Sequence, residues 1–251
     1  MTKPYVKKDI QDRIATIEFF HPAHNSLPSD ILAKLAGTIT QVGQDDEVLV
    51  IILKSGGDRT FCAGASFKEL ISIEDEKTGE QFFSGFANVI NAMRKCPKFI
   101  IGRVQGKTVG GGVGLASSMD YCLATKFASI KLSELNLGIG PFVVGPAVER
   151  KLGVSGMSQI AIDANTFYPA EWARDKGLFA NVYETTEALD IAVSEFAKNL
   201  CEYNPEAVKH MKQMFWRGTE DWDELLIERA KISGKLVLSS FTKEKLKRFK
   251  D

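Results

Sequence analysis

The first half of the chain alternates between strand-like and helix-like hydrophobic patterns. Apolar residues recur at every second position over residues 13–19, which is typical of a half-buried strand. Residues 48–53 form a continuous apolar run, as in a strand buried on both faces. Further predicted elements are helices over 28–43 and 76–95 and strands over 98–104, 121–124 and 128–131. Strands that alternate with helices indicate an α/β fold with a largely parallel sheet.

From residue 146 onward the apolar pattern is almost entirely helical. The predicted helices are residues 146–152, 156–164, 169–176, 187–200, 205–215 and 221–238. One short strand is predicted near residues 179–183, and the basic tail 242–251 is predicted to be helical. We therefore expect residues 1–190 to form the core that carries the site and residues 191–251 to form a helical C-terminal region.

The charge balance limits the partners that the chain can bind. Its 251 residues contain 32 Lys and Arg against 32 Asp and Glu, so the formal net charge is zero. A chain without a basic field lacks the main source of nucleic-acid affinity, and we predict no nucleic-acid partner. An anionic ligand would have to be held by local features, such as backbone N–H groups or one basic edge.

The N-terminal residues and the cysteines indicate a cytoplasmic protein. Residues 1–8 contain no apolar signal segment, and no apolar run approaches the roughly 18 residues of a membrane span, so we expect no membrane association. The four cysteines are far apart and form no ligand cluster with the three histidines. We predict reduced thiols and no metal site.

Segment 60–70 is the first that could carry chemistry. Ala63, Gly64 and Ala65 are the smallest residues available, and they allow a backbone to approach a ligand closely. The N–H groups of a turn that enters a helix are unpaired, so they can bind an anion or an oxyanion. An ordinary tight turn before a helix is the alternative interpretation.

The glycine-rich segment 104–116 is the second candidate. Gly110, Gly111 and Gly112 are consecutive although glycine lowers helix stability, which favours a backbone that faces a ligand. The spacing matches neither a P-loop nor a dinucleotide-binding fingerprint, because Ser117 stands where the third glycine of the fingerprint belongs. An oxyanion-binding role and tight packing both remain open.

Glu134 is the third candidate, because it is a lone acid within the otherwise apolar segment 130–142. A carboxyl group in apolar surroundings has a raised pKa, which suits general acid–base catalysis. A helix cap or a structural ion pair would explain the same residue equally well.

In this order and at this spacing, the three segments resemble the motifs of the crotonase superfamily, the enoyl-CoA hydratase/isomerase family. Residues 25–27 and 170–178 are similar to two further motifs of that family, and the likeness covers about residues 10–240. The resemblance implies a ClpP/crotonase-like spiral of repeated ββα units with a helical C-terminal region that forms homotrimers, often paired as hexamers. It also implies an enzyme whose substrate is a coenzyme A thioester, with no permanently bound cofactor.

The resemblance assigns roles to individual residues. The N–H groups of Ala65 and Gly111 would donate to the thioester oxygen, and Glu134 would be the catalytic acid and base. The residues that it predicts to contact the substrate or coenzyme A are His24, Ser26, Leu27, Ala63, Gly64, Ala65, Gly110, Gly111, Gly114 and Phe142. The basic residues Lys3, Lys7 and Lys8 and the run 243–250 are either solvated surface or contacts for the phosphates of coenzyme A.

The acids depart from the pattern of the family's hydratases, which hold and activate a water molecule with two glutamates. Glu134 stands at the second of these positions, but Gly114 stands at the first. One carboxylate suffices to move a double bond, because it removes a proton from C2 and returns it at C4. We therefore expect isomerisation of 3-enoyl-CoA to 2-enoyl-CoA. Phe142 stands where the family's dienoyl isomerases carry a further acid.

Three alternatives remain open. A hydratase would need a second acid from elsewhere, for which Glu69 and Glu149 are the candidates. A non-catalytic acyl-CoA-binding protein would need only the two glycine-rich loops. A thioesterase or decarboxylase of the same fold could use the space left at Gly114 for a larger or branched acyl group.

Overall fold

A computed structural model describes residues 3–247, whose strands form two sheets. The strands are β1 (Tyr5–Gln11), β2 (Ile14–Phe20), β3 (Val50–Ser55), β4 (Thr60–Cys62), β5 (Phe99–Val104), β6 (Lys107–Val109), β7 (Tyr121–Thr125), β8 (Ser129–Lys131), β9 (Tyr168–Pro169) and β10 (Asn181–Tyr183). Among these residues, a six-stranded sheet has the order β1-β2-β3-β5-β7-β10 and a four-stranded sheet has the order β4-β6-β8-β9.

The second half of the described chain is mainly helical, as its apolar pattern predicts. The helices are α1 (Ser29–Gly43), α2 (Phe67–Leu70), α3 (Glu76–Lys95), α4 (Gly111–Ser118), α5 (Gly145–Ile162), α6 (Ala170–Asp175), α7 (Thr186–Cys201), α8 (Pro205–Phe215), α9 (Trp222–Leu236) and α10 (Ser240–Lys247), with a 3-10 helix at Glu134–Leu137. α5 joins two predicted helices across Gly153, whose φ of 68° interrupts the helical backbone. Between residues 3 and 247, no helix is long and apolar enough to cross a membrane.

Long and short strands alternate between the two sheets, and each pair leads into helix. β3 is followed by β4, β5 by β6 and β7 by β8, and the chain then enters α2 and α3, α4, or the 3-10 helix and α5. This is the spiral of ββα units that the resemblance implies. The hydrophobic pattern does not predict β4 and β6, because strands of three residues are too short to show a period of two.

The six-stranded sheet is parallel except for β1, which pairs antiparallel with β2. The pattern does not predict β1 either, because Lys7, Lys8 and Asp9 are exposed along this edge strand. Charged residues suit an edge strand, since they discourage pairing with another chain. β3, at the centre of the sheet, is buried along nearly its whole length, as its unbroken apolar sequence predicts.

The C-terminal helices pack onto the core of the same chain. α9 crosses α3 at two facing glycines: a Cβ atom added to Gly79 would lie 2.7 Å from the Cα atom of Gly234. The Arg94 guanidinium of α3 also donates to the carbonyl oxygen of Thr219, at 2.9 Å, just before α9. The boundary expected after residue 190 falls within α7. The role of residues 191–251 in trimers stays a prediction, and residues 248–251 of the basic tail lie outside the described part of the chain.

Candidate active site

One large cavity, of about 910 Å³, lies where the three candidate segments meet. Its polar rim includes His21, His24 and Lys68, and its interior is bounded by the loop after β4, the turn after β6 and the segment that begins at Ser133. The side chains of α3 that form an aromatic wall are Phe82, Phe83 and Phe86. Apolar walls with a few convergent polar groups are typical of a small-molecule site.

The loop after β4 is fixed against the turn that precedes α1. The N–H of Leu27 donates to the carbonyl oxygen of Gly64 at 2.8 Å, and the N–H of Ser66 donates to that of Leu27 at 3.0 Å. The Ser26 hydroxyl donates to the carbonyl oxygen of Ala65 at 2.8 Å. These bonds occupy the carbonyl side of the loop, and among the described residues the N–H of Ala65 donates to no protein acceptor.

Gly64 brings this loop against the turn after β6. Its φ is +89°, a conformation that favours glycine. A Cβ atom at Gly64 would lie 3.2 Å from the carbonyl oxygen of Val109 and 3.7 Å from the nitrogen of Gly111. The two loops are therefore in backbone contact beside the nitrogen of Gly111.

Backbone conformation or close packing requires glycine at each of the three consecutive positions 110, 111 and 112. Gly110 has φ 52° and ψ −118°, and its N–H donates to the carbonyl oxygen of Lys131 at 2.8 Å. A Cβ atom at Gly111 would lie 2.3 Å from the ring of Phe86, and one at Gly112 would lie 2.6 Å from the carbonyl oxygen of Cys62. Close packing thus forces glycine at positions where a ligand can reach the backbone.

The Gly111 N–H begins α4, where the first N–H groups of a helix have no intrahelical acceptor. Together with the Ala65 N–H, it provides two backbone donors on adjoining loops. Paired donors of this kind stabilise an oxyanion, and removal of one costs about 3–4 kcal/mol in acyl-transfer enzymes. The helix dipole of α4 adds positive potential at the same point.

Glu134 lies beside these donors. Its Oε1 atom would be 3.0 Å from a Cβ atom at Gly110, and its Oε2 atom is buried with no hydrogen-bond partner among the described residues. Burial raises the pKa of the Glu134 carboxyl to about 7, against the opposing effect of two neighbouring backbone N–H groups. A carboxyl with that pKa can accept and return a proton at neutral pH. The ion-pair interpretation of Glu134 lacks support, since no cation among the described residues forms an ion pair with it.

The C-terminal helix α10 supports the segment that holds Glu134. Gly138 ends the 3-10 helix with a φ of 79°, and its carbonyl oxygen accepts a hydrogen bond from the Thr242 hydroxyl at 3.3 Å. A Cβ atom at Gly138 would lie 2.5 Å from the ring of Phe241. α10 therefore lies directly against the turn that follows Glu134.

The position of the absent second acid is filled by a neighbouring side chain. A Cβ atom at Gly114 would lie 2.4 Å from Cγ1 and 2.7 Å from Cβ of Val144. Val144 lines the cavity and Gly114 does not. Two expectations are thereby corrected: Gly114 is not a contact residue, and it leaves no room for a larger acyl group because Val144 occupies that space.

Neither of the two candidate replacements for the second acid is free beside Glu134. Glu69 lines the cavity, but its carboxylate accepts from the N–H of Ser29 at 3.0 Å and from the Ser29 hydroxyl at 2.7 Å, at the start of α1. Glu149 is exposed on α5 and lies outside the cavity lining. Glu134 and Glu69 are the acids among the described residues of that lining.

Most of the residues predicted to contact the substrate line the cavity: His24, Ser26, Ala63, Gly64, Ala65, Gly110, Gly111 and Phe142. Leu27 is a correction, because it is fully buried beneath the loop and only its backbone holds the site together. The aromatic wall of α3 and the position of Val144 are not predicted from the sequence. Three phenylalanines within five residues are the signal for that wall, but helical spacing alone assigns them to the core.

The predicted basic contacts are only partly described. Lys7 is exposed and lies 3.0 Å from the Glu18 carboxylate. Lys68 lies at the cavity rim, although it is not among the predicted basic contacts. Of the C-terminal run, residues 248–250 lie outside the described chain. A role for that run at the coenzyme A phosphates stays a prediction.

The remaining chemistry-bearing residues near the site are inert or scattered. Cys62 is fully buried, and burial raises the pKa of its thiol to about 12, so it is protonated at neutral pH. Within residues 3–247, no three His, Cys, Asp or Glu side chains are grouped as metal ligands would be.

Known proteins are similar to this chain in both sequence and fold. The family model described as enoyl-CoA hydratase/isomerase matches residues 9–250. A short-chain-enoyl-CoA hydratase of Clostridium acetobutylicum is 30% identical over 95% of this chain and 92% of its own. A peroxisomal Delta(3,5)-Delta(2,4)-dienoyl-CoA isomerase of Arabidopsis thaliana is 27% identical over 87% of this chain and 83% of its own.

Solved structures agree with this relationship at the level of the fold. The crystal structure of an enoyl-CoA hydratase from Bacillus halodurans superimposes with a TM-score of 0.89 over 97% of this chain and 99% of its own, at 19% identity. The family model spans nearly the whole sequence, and the spiral of ββα units matches the solved fold. The chain therefore belongs to the enoyl-CoA hydratase/isomerase family of the crotonase superfamily.

Proposed function

We propose that the protein isomerises 3-enoyl-CoA to 2-enoyl-CoA thioesters, with Glu134 as the single acid and base. The observation that carries this proposal is the apolar replacement of the second acid, because Val144 fills the space in front of Gly114. Glu69 is held by Ser29, and Glu149 lies outside the cavity. Within the described lining, Glu134 is left as the carboxylate available beside the paired N–H groups.

The chemical step uses groups already in place. The thioester oxygen accepts hydrogen bonds from the N–H groups of Ala65 and Gly111, which makes the C2 protons more acidic. The Glu134 carboxylate removes one proton from C2, and the electron pair moves onto the thioester oxygen as a dienolate. Glu134 then returns the proton at C4, and the double bond between C3 and C4 moves to C2 and C3. Substrate and product have the same atoms, so the step consumes no water.

Hydration of a 2-enoyl-CoA is the alternative function, and the Clostridium relative carries that name. Hydration requires a water molecule held for attack at C3 and a proton delivered to C2. At Gly114 the methyl groups of Val144 offer no hydrogen bond to such a water. Dienoyl isomerisation has a parallel difficulty, because the apolar Phe142 lines the cavity where an acid would be required.

Isotope labelling separates isomerisation from hydration. The purified protein is incubated with 2-enoyl-CoA in heavy-oxygen water, and the products are analysed by mass spectrometry. We expect no incorporation of heavy oxygen into the acyl chain, whereas 3-enoyl-CoA is converted to its 2-enoyl isomer. Incorporation at C3 during multiple turnovers would assign the protein to the hydratases.

A non-catalytic acyl-CoA-binding protein is the candidate from a different class. The two loops that contact a thioester serve binding and catalysis equally, but a buried acid with a pKa near 7 has no use in binding alone. Calorimetric binding of acyl-CoA without turnover of any 2-enoyl or 3-enoyl substrate would identify this class.

The homotrimer or hexamer implied by the resemblance belongs to the same proposal. The exposed apolar side chains of Met211 and Met214 on α8 are compatible with a covered face in an oligomer. Sedimentation equilibrium is expected to give a mass of a trimer or of two trimers. A monomer at micromolar concentration would contradict the expectation.

A further inference from the structure

A second cavity, of about 360 Å³, lies at the C-terminal end of α4. It shares no lining residue with the candidate active site. Its walls come from the end of α4, from the middle of α5 and from the end of α8, and they include Ser117, Arg150, Lys151 and Trp216. Cavities of a few hundred Å³ are large enough for a small organic ligand.

Asp120, the acid in this lining, is fully engaged by other groups. One carboxylate oxygen accepts from Lys212 Nζ at 2.8 Å and from the N–H of Ile100 at 2.8 Å, and the other accepts from Trp216 Nε1 at 3.4 Å. The Lys212 ammonium is buried and balances the charge of Asp120. The carboxylate is therefore neutralised inside the fold and repels an incoming anion only weakly.

Two other cations in the lining have no acidic partner. Within residues 3–247, neither Arg150 nor Lys151 forms an ion pair. The Arg150 guanidinium lies 5.1 Å from the ring centroid of Trp216, and Lys151 Nζ donates to the carbonyl oxygen of Asp120 at 3.0 Å. Both are thus positioned beside the cavity by contacts that leave their positive charge uncompensated.

We propose that this cavity binds a small anion that carries a phosphate or carboxylate group. Arg150 and Lys151 would provide the charge, and the Trp216 ring would contact any apolar part of the ligand. Charge-assisted bonds to a guanidinium are among the strongest hydrogen bonds that proteins form. The site is separate from the acyl-CoA cavity and does not depend on which reaction the enzyme catalyses.

Thermal unfolding of the full-length protein tests this site with inorganic phosphate and with butyrate as separate probes. Sodium chloride at matched ionic strength is the reference, because a bound ligand raises the midpoint by mass action whereas screening does not. We expect at least one probe to raise the midpoint above the chloride reference. A response that saturates with phosphate alone assigns a phosphate site, because exclusion of phosphate from the protein surface raises the midpoint without saturation. A saturating response to butyrate assigns a carboxylate site. No response to either probe would overturn the proposal.

Variants locate the bound anion. Arg150→Gln and Lys151→Gln are each expected to weaken the apparent affinity about tenfold or more. Lys209→Gln, an exposed cation of α8 outside the cavity, is the matched control and should keep the wild-type response. Equal responses in all four proteins would place the anion elsewhere and overturn the assignment, as would a phosphate-soaked crystal whose only bound ion lies away from Arg150 and Lys151.

Discussion

At the level of single residues, the proposed isomerisation depends on the groups that surround the Glu134 carboxyl. Glu134 is an ordinary acid by sequence, and burial beside Gly110 raises its pKa to about 7. The same burial costs stability, because an acid that must be ionised for catalysis is held where ionisation is unfavourable. At Gly114 the surroundings are apolar, because the Val144 side chain occupies the space in front of the glycine.

Replacement of Glu134 by Gln separates catalysis from folding. Glu134→Gln should lower isomerase turnover by roughly 10²–10⁴-fold or more, because no other acid in the described lining can move the proton. Binding of acyl-CoA, measured by calorimetry, should persist. Glu149→Gln, at an exposed acid outside the cavity, is the matched control and should leave turnover unchanged. Near-native turnover of Glu134→Gln would show that another residue is the base.

The same variant should be more stable than the wild type at alkaline pH. The pKa of Glu134 rises from 4.5 to about 7 on folding, so the folded state favours the protonated carboxyl. The wild type therefore loses stability relative to Glu134→Gln as the pH rises from about 4.5 to about 7, by about 3 kcal/mol in total. Urea unfolding at pH 5 and pH 8 measures this difference. A constant difference between the two pH values would contradict the raised pKa.

The pH profile of catalysis follows from the same group. The base must be ionised to take a proton, so kcat/KM should rise about tenfold per pH unit below the pKa of about 7 and level off above it. Initial rates with 3-enoyl-CoA across pH 5 to 9 test this expectation. A value of kcat/KM that is nearly constant from pH 5 to 9 would mean that Glu134 is not buried during turnover.

The contact between Gly114 and Val144 can be tested by paired substitutions. Gly114→Ala should lower the free energy of unfolding by about 1–3 kcal/mol, because its Cβ would overlap the Val144 side chain at 2.4 Å. The loss caused by Gly114→Ala should be smaller in a Val144→Gly background, because the nearest remaining atom of residue 144 would be its Cα at 3.5 Å. Strictly additive effects in a double-mutant cycle would show that the two positions do not share this space.

At the scale of elements, two short loops create the candidate oxyanion site. The loop after β4 turns at Gly64 and the loop after β6 turns at Gly110, and each turn has a positive φ. The first loop is fixed by hydrogen bonds from Leu27 and Ser26, and the second by one to Lys131. The donors are main-chain N–H groups, so the sequence signals them only through small residues.

Two glycines with positive φ allow a matched test of this element. Gly64→Ala should lower kcat by about 10²–10³-fold, because its Cβ would press on the Val109 carbonyl at 3.2 Å and displace the adjacent Ala65 N–H. Gly57→Ala carries a comparable backbone strain, with φ +83°, but its Cβ would meet open space. It should destabilise the protein by about 1–2 kcal/mol and leave kcat intact. Equal loss of kcat in both variants would attribute the effect to stability alone.

At the scale of the whole molecule, long periodic segments were predictable and close contacts were not. The apolar periodicity of α3 and the unbroken apolar run of β3 predict which residues form the core. Two loops of small residues and one acid predict the site from the sequence alone. β4 and β6 are too short to show a period. The filling of the space at Gly114 by Val144, 30 residues later in the chain, depends on tertiary packing that no local pattern encodes.

Absorbance at the conjugated thioester band distinguishes isomerisation by the Glu134 carboxylate from hydration. Purified protein is offered matched 3-enoyl-CoA and 2-enoyl-CoA substrates of the same chain length. We expect the band to grow with 3-enoyl-CoA and to stay constant with 2-enoyl-CoA. Rapid loss of the band from 2-enoyl-CoA, with no growth from 3-enoyl-CoA, would contradict this expectation and identify a hydratase.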